Sequence, residues 1–258
     1  MKIFVLVKEV PDTYGDRKLN LETGLADRAA GDVVLDEITE RALEVALSYA
    51  DKNDGTEVVA VSMAPEGSTA SVRRALAIGA GSAVHIADEQ LAGADLGLTA
   101  EVLAAAIRRG APDLVITGNL STDGSGGVIP AMLAEHLGFA QATALSSVEI
   151  TADGVSGTRA ADAGSQPVSA PLPAVISITE ALPDARFPNF KGIMAAKKKP
   201  LEVLSLADLD VSADPSAAPR TIMTAVSEKP PRAAGVKITD EGDAADKLVD
   251  YLVQNRLV

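Results

Sequence analysis

The sequence predicts an α/β fold, in which a doubly wound and mostly parallel sheet carries antiparallel additions and an extended C-terminal arm. Three observations predict it: short apolar runs of strand length, amphipathic segments of helical period between them, and hairpin signals after Gly138. Runs that are apolar on both faces are typical of strands buried in a parallel sheet. The alternation of such runs with helical segments favours double winding.

The first half of the chain supplies the parallel strands and the helices that cross between them. The apolar runs predict strands at residues 3–7, 58–61, 83–86 and 114–116. Segments that place their apolar residues on one face predict helices. These segments are residues 37–51, 68–78, 98–109 and 128–137.

The second half changes character. Residues 144–150 and 155–158 flank Ala152-Asp153-Gly154 and predict a hairpin, and residues 174–179 predict another strand. Prolines, Asn189 and Gly192 predict that segment 181–200 is a long loop without helix or strand. A proline-rich arm then leads to a terminal helix at 239–257. We expect that helix to pack on a partner, and the alternative is that it folds back on its own domain.

The composition narrows the possible functions. The 258 residues include 36 acidic residues and 23 Lys or Arg, a net charge of −13, so general binding to nucleic acid is not expected. There are no cysteines and two histidines, so disulfides and thiolate metal sites are excluded and no metal site is expected. The run at 3–7 is too short to span a membrane and no targeting segment is evident. We therefore expect a cytoplasmic protein without direct membrane insertion.

A glycine-rich segment predicts where a ligand binds. In an open α/β sheet, ligands bind beyond the carboxyl ends of the strands, where the winding reverses. If the first strand is central, its end at Leu6, Val7 and Lys8 lies beside the end of the fourth strand. That strand runs through Gly118 into a segment rich in glycine and hydroxyl residues, which ends at the helix of 128–137. Glycines allow close approach of a ligand and a helix N-terminus favours an anion, so we expect a phosphate there.

Other residues are expected to border this crevice. Asp123 would contact a ribose hydroxyl or hold the loop, Met63 would line an adenine slot, and residues 36–39 would lie at the same edge. The segment lacks the Gly-Lys-Ser/Thr of a Walker A loop, so we expect binding without hydrolysis and no catalytic residue. The alternative is a flexible glycine loop capped by Ser125.

Segment 186–199 differs in charge from the rest of the chain. It contains no acid and five cations, Arg186, Lys191, Lys197, Lys198 and Lys199. Phe187 and Phe190 lie in the same segment. Apolar anchors beside cations suit docking onto an acidic partner that has a small pocket. The alternative is a solvated basic run with both phenylalanines in the core.

Several motifs together resemble a known family. They lie at residues 5–8 (VLVK), 60–65 (AVSMAP), 74–80 (RALAIGA), 172–177 (LPAVIS), 192–202 (GIMAAKKKPLE) and 230–237 (PPRAAGVK). They resemble the β subunit of electron-transfer flavoprotein, including its nitrogen-fixation-linked relatives. The resemblance implies an adenine-nucleotide-binding α/β domain at 1–180, a partner-recognition loop at 181–200 and an arm at 201–258 that packs on a partner subunit.

The resemblance also implies cofactors and partners. The β subunit would pair with an α subunit that holds most of one FAD, and would itself bury a structural AMP. The heterodimer would carry electrons from flavin-dependent dehydrogenases to a membrane quinone oxidoreductase. In energy-bifurcating relatives the AMP site holds a second FAD, but residues 121–127 resemble the AMP type more. The alternative is an adenine-nucleotide-binding sensor or stress-type module without a redox role, which leaves the basic aromatic loop and the arm unexplained.

The sheet argument and the resemblance together provide two sets of candidate residues. The nucleotide set is Leu6, Val7, Lys8, Asp36, Thr39, Met63, Gly118, Asn119, Thr122, Asp123, Gly124, Ser125, Gly126, Gly127, Val128 and Ile129. The partner set is Arg186, Phe187, Phe190, Lys191, Ile193, Met194, Lys197 and Lys198. Phe190 stands where the family usually has a Leu anchor and Ala195 where it usually has Lys. Val128 replaces a residue that is polar in many relatives, so phosphate contacts would rely more on backbone N–H groups.

Overall fold

The computed structural model describes residues 1–216, 218, 220–232 and 234–258, and in that part of the chain nine strands form the main sheet. The strands are β1 (Lys2–Leu6), β2 (Glu9–Pro11), β3 (Val33–Leu35), β4 (Glu57–Met63), β5 (Ser82–Ile86), β6 (Leu114–Gly118), β7 (Ala140–Ile150), β8 (Gly154–Ala161), β9 (Gly164–Pro171), β10 (Ala174–Ile178) and β11 (Leu201–Leu204). The helices are α1 (Glu37–Ala50), α2 (Thr69–Ile78), α3 (Leu96–Gly110), α4 (Ile129–Leu137), α5 (Phe190–Ala196), α6 (Leu206–Leu209) and α7 (Ala244–Gln254).

The sheet is doubly wound, as the sequence predicts. Its strand order is β11-β5-β4-β1-β6-β10-β7-β8-β9, and β1 pairs in parallel with both β4 and β6. The chain moves outward from β1 to β4 and β5 and then returns to β6 on the other side of β1. The winding therefore reverses between β1 and β6, which brings the two predicted strand ends together.

Helices cover both faces of the sheet. Side chains alternate between the two faces of a strand, so Ile3 and Val5 of β1 pack with α1 and α2, whereas Phe4 and Leu6 pack with α3 and α4. Burying one such side chain contributes about 1.5–3 kcal/mol. Because helices cover both faces of the sheet, the side chains on both sides of these strands are buried. The strands are therefore continuous apolar runs in the sequence.

The antiparallel addition is larger than predicted. β7 pairs in parallel with β10 and antiparallel with β8, which confirms the hairpin. β9 adds a further antiparallel strand, which is not among the predicted elements and which contains Pro167 and Pro171. Proline is tolerated in an edge strand, and β9 is the edge of this sheet.

The prediction that segment 181–200 lacks regular structure is wrong, because α5 lies within it. Asn189 caps this helix by accepting a hydrogen bond from the Gly192 N–H at 2.8 Å. A Cβ at Gly192 would lie 2.6 Å from the carbonyl oxygen of Ala77, so glycine permits α5 to pack directly on α2. The cap and this packing outweigh the helix-breaking residues.

The chain divides into two compact units, Met1–Thr224 and Ala225–Val258. The predicted boundary at 200/201 differs from this division, because β11 joins the main sheet beside β5. In the second unit, α7 confirms the predicted terminal helix with narrower bounds, and none of its residues is buried. Ala233, in the motif at 230–237, lies outside the described residues. Among the described residues, no helix combines the length and apolarity that crossing a membrane requires.

Candidate functional site

The structure brings three predicted segments together at the point where the winding reverses. The Lys8 Nζ, just beyond β1, lies 2.7 Å from the Asp123 Oδ1 and donates to the Ser121 Oγ at 3.3 Å. The Asp36 N–H, at the start of α1, donates to the Lys8 carbonyl at 2.8 Å. The Thr122 N–H donates to the Asp36 Oδ2 at 2.9 Å. The end of β1, the start of α1 and the loop after β6 therefore meet where the sequence predicts the crevice.

Asp36 is the buried acid of this crevice, with 1% of its surface exposed. Burial raises the pKa of its carboxyl group, although the N–H groups of Thr122 and Ile38 oppose that effect. Its Oδ1 is buried without a hydrogen-bond partner among the described residues. Leaving such an atom unpaired costs about 1–3 kcal/mol, so Asp36 presents an acceptor that a ligand donor would satisfy.

Thr39 and Gly118 shape the floor of the crevice. The Thr39 Oγ1 donates to the Asp36 carbonyl at 2.7 Å, and the Lys8 N–H lies 3.5 Å from the same Oγ1. A Cβ at Gly118 would lie 2.8 Å from the Cγ2 of Ile38, so glycine allows α1 to approach the backbone at the end of β6.

Asp123 holds the loop. Burial opposes its ionisation, but hydrogen bonds from Lys8 and Ser121 hold the pKa of its carboxyl group below its usual value. It also accepts the Gly124 N–H at 2.6 Å. Of the two roles expected for Asp123, the geometry favours holding the loop over contacting a ribose.

The glycine loop leads into α4 without a side-chain cap. Val128 occupies the N-cap position and makes no side-chain hydrogen bond there. The Ser125 Oγ instead donates to the Ser121 carbonyl at 3.2 Å within the loop, so Ser125 does not cap α4. Ser125 and Gly127 adopt left-handed backbone conformations, with φ of 50° and 67°.

The remaining predicted nucleotide residues lie around the crevice with differing access. The Leu6 and Val7 side chains are buried in the two opposite cores, so these residues offer a ligand their backbone. Met63 is half-buried at the end of β4, and Asn119 accepts the Leu120 N–H at 2.8 Å. The exposed predicted positions of the loop are Thr122 and residues 124–128, and Ile129, the first residue of α4, is half-buried.

Sequence reasoning missed one cation at the crevice. Arg17, from the connection between β2 and β3, donates from its Nη1 to the carbonyl of Thr122. The two residues are 105 positions apart and no local pattern marks their contact. Within the described residues, no group of three or more His, Asp or Glu side chains is placed to hold a metal ion.

The predicted partner loop exposes its apolar side chains. Phe187 is 90% exposed and Phe190 79% exposed, so the alternative that both lie in the core is wrong. Ile193 and Met194 of α5 are about half exposed. Lys191, Lys197 and Lys198 are exposed beside them. The loop therefore combines apolar and cationic groups that are free to meet another surface.

Two cations of segment 186–199 bind other groups of this same chain. Arg186 forms ion pairs with Glu44 and Asp51 of the α1 region. The Lys199 Nζ donates to the carbonyls of Leu76 and Ala80, at the end of α2, at 2.9 and 2.7 Å. The segment therefore presents fewer free cations than its composition predicts.

Comparisons with known proteins agree along the whole chain. Residues 23–209 match the electron transfer flavoprotein domain. The chain is 45% identical over 264 residues to a Mycobacterium tuberculosis (strain H37Rv) protein named electron transfer flavoprotein subunit beta, with 99% of each chain covered. It is 31% identical over 255 residues to the Bacillus subtilis (strain 168) protein of the same name, covering 98% of this chain and 97% of the relative. It is 29% identical over 264 residues to an Acetobacterium woodii protein named caffeyl-CoA reductase-Etf complex subunit CarD, with 100% of each chain covered.

Proposed function

The chain belongs to the electron transfer flavoprotein family as a β subunit, and from this premise we propose that it binds AMP structurally and docks flavin-dependent dehydrogenases. A β subunit of this family takes part in electron transfer, and its name implies an α subunit as partner. The α subunit would hold most of one FAD, which supplies the redox chemistry when bound. This chain would complete the heterodimer and position partners without a catalytic residue of its own.

One observation carries the nucleotide proposal: the buried Asp36 Oδ1, which has no hydrogen-bond partner in the described part of the chain and lies beside the glycine loop at the reversal of winding. A buried acceptor at this place suits a ribose hydroxyl or an adenine amino group, both of which donate hydrogen bonds. Asp123 is already engaged by Lys8, so Asp36 is the carboxylate that remains available to a ligand.

The phosphate would bind at the N-terminus of α4. No side chain caps that helix at Val128, and Pro130 in its first turn has no N–H, so the N–H groups of Ile129 and Ala131 would meet an anion that the helix dipole also favours. The Lys8 charge is balanced by Asp123, so backbone donors would carry most of the phosphate binding. This agrees with the apolar residue at position 128.

The experiment is a nucleotide analysis of the heterodimer. The chain is purified after co-expression with an α subunit, denatured, and its supernatant is separated by chromatography. We expect AMP and FAD in near-equal amounts, each about one per heterodimer. Two FAD molecules without AMP would place FAD in the crevice, and an absence of nucleotide would contradict the proposal.

The exposed loop supports the docking proposal. Phe187 and Phe190 offer apolar area that folding leaves uncovered, and Lys191, Lys197 and Lys198 would steer the loop toward an acidic surface. These residues would contact the dehydrogenases that reduce the FAD. The heterodimer would then pass electrons to a quinone oxidoreductase at the membrane while remaining cytoplasmic.

The second compact unit supports the proposed arm. Leu248, Val249 and Val253 of α7 are half exposed or more, which is typical of an amphipathic helix that packs on a partner. We propose that α7 packs on the α subunit. A nucleotide sensor would need neither this helix nor the apolar loop, so the electron-transfer role is favoured over a sensor or stress-type module.

A further inference from the structure

Arg186 makes three hydrogen bonds to Glu44 of α1 and one to Asp51, the residue that follows this helix. Its backbone N–H and its Nε donate to the Glu44 Oε2 at 3.0 and 2.8 Å, and its Nη2 donates to the Glu44 Oε1 at 2.7 Å. The same Nη2 donates to the Asp51 Oδ2 at 2.9 Å. The main chain and the guanidinium of one loop residue are therefore both fixed to one carboxylate.

This pair is stronger than an ordinary surface ion pair. The Glu44 side chain is 14% exposed and that of Arg186 is 35% exposed, so water only partly screens the attraction between the two charges. Burial opposes ionisation of Glu44, but hydrogen bonds from Arg186 outweigh it and lower the pKa of the carboxyl group. The hydrogen bonds that the guanidinium donates to Glu44 raise the pKa of Arg186 in turn. A bidentate Arg–carboxylate contact also fixes the orientation of the guanidinium, whereas a Lys ammonium would not be oriented in this way.

The Arg186–Glu44 pair lies directly before the exposed apolar residues of the loop, so it fixes one end of that exposed surface. Phe187 directly follows Arg186, and its side chain is almost fully exposed. Because that side chain packs on almost nothing, the position of the Phe187 backbone depends on the anchored Arg186. Before Arg186, Arg41 donates to the Leu182 carbonyl at 2.5 Å. After Phe190, Lys199 binds the end of α2, and the Arg73 Nη1 donates to the Ala196 carbonyl at 2.8 Å. The exposed apolar surface lies between two fixed ends.

We propose that the Arg186–Glu44 pair is a clamp that holds the docking surface in its binding conformation, and that Arg186 is a positioning residue and not a partner contact. This inference rests on the proposed docking function. It divides the cations of the segment: Arg186 and Lys199 position the loop, whereas Lys191, Lys197 and Lys198 attract the partner. Holding a loop in its bound shape removes ordering entropy from association, so the clamp acts on affinity and not on the electron-transfer step.

The test uses Arg186→Gln, Glu44→Gln and the charge swap Arg186→Glu with Glu44→Arg, each in the heterodimer. Arg109→Gln is the control for loss of an arginine ion pair away from the loop, because Arg109 of α3 pairs with Glu202 at 3.2 Å on the other face of the sheet. Loop order is read from the rate of tryptic cleavage after Lys191. Docking is read from KM and kcat for a purified flavin dehydrogenase that reduces the wild-type heterodimer, over a range of ionic strength.

Both single variants should behave alike. We expect cleavage after Lys191 to be about tenfold faster and KM to rise about tenfold, the cost of one charge-assisted hydrogen bond, with kcat unchanged. The dependence of kcat/KM on salt should keep the wild-type slope. Lys197→Gln should instead lower that slope without affecting cleavage, and the charge swap should restore both readouts at least in part. Circular dichroism and FAD content confirm that each variant folds.

Three results would overturn the clamp. A higher KM for Arg186→Gln but not for Glu44→Gln would make Arg186 a direct partner contact. Wild-type cleavage rates in both variants would show that the pair does not order the loop. An unchanged KM despite faster cleavage would show that loop order does not matter for docking. Failure of the wild-type heterodimer to accept electrons from any flavin dehydrogenase would instead refute the proposed function.

Discussion

Replacing Phe190 by Ala tests the docking surface at its most apolar point. The side chain is largely exposed, so the folded chain gains little from it and should lose less than about 0.5 kcal/mol of stability. If a dehydrogenase buries it in a pocket, the association gains part of the 1.5–3 kcal/mol typical of a buried phenylalanine. A loss of about 2 kcal/mol corresponds to a fall of about 30-fold in kcat/KM.

The assay follows reduction of the heterodimer by a flavin dehydrogenase at several heterodimer concentrations. The expected loss lies in KM, while FAD content, AMP content and the unfolding midpoint remain those of the wild type. Tyr14→Ala is the control, because Tyr14 is fully exposed and aromatic but lies in the connection between β2 and β3. Equal effects of the two substitutions, or an unchanged KM for Phe190→Ala, would refute the reasoning.

Three further predictions concern the crevice, the clamp and the arm. Asp36→Asn keeps the shape of the side chain but replaces an acceptor by a donor, so bound AMP should fall at least tenfold, and wild-type AMP content would contradict this. Because the pKa of Glu44 is lowered from its ordinary 4.5, its stabilising contribution is complete above pH 4.5 and is lost as the pH falls through the folded value. The urea midpoints of wild type and Glu44→Gln should therefore converge only below pH 4.5, and convergence between pH 8 and 6 would be inconsistent with the pair. Truncation before Pro230 should abolish co-purification with the α subunit, and a normal heterodimer would mean that α7 is not part of the interface.

The sheet could be predicted because its signals are local. Each parallel strand is a run of apolar residues, and each helix shows its period within its own segment. The crevice followed from the same reasoning, because a doubly wound order places the ends of β1 and β6 side by side. The hydrogen bond from the Thr122 N–H to the Asp36 carboxylate confirms that the glycine loop and the start of α1 meet.

The contacts that make these segments work could not be predicted, because each joins distant residues. Lys8 and Asp123 are 115 positions apart, and Arg186 and Glu44 are 142 apart. The sequence marks these groups as charged but not as partners, so Arg186 looked like one more free cation. α5 was missed for a related reason: its seven residues are too few for a helical period, and the packing of Gly192 on α2 is a tertiary contact.

The nucleotide proposed for the crevice would be structural and would undergo no reaction. The crevice joins three separate segments, and its polar network leaves one acceptor of Asp36 unpaired among the described residues. A ligand that pairs that acceptor and the first turn of α4 binds the folded chain but not the unfolded one. Mass action then stabilises the fold, by about 2.7 kcal/mol when the ligand is present at 100 times its Kd. Such a site would need no catalytic group, because its effect would be to hold the ends of β1 and β6 together against α1, and the proposed docking loop is separately fixed to that same helix through Glu44.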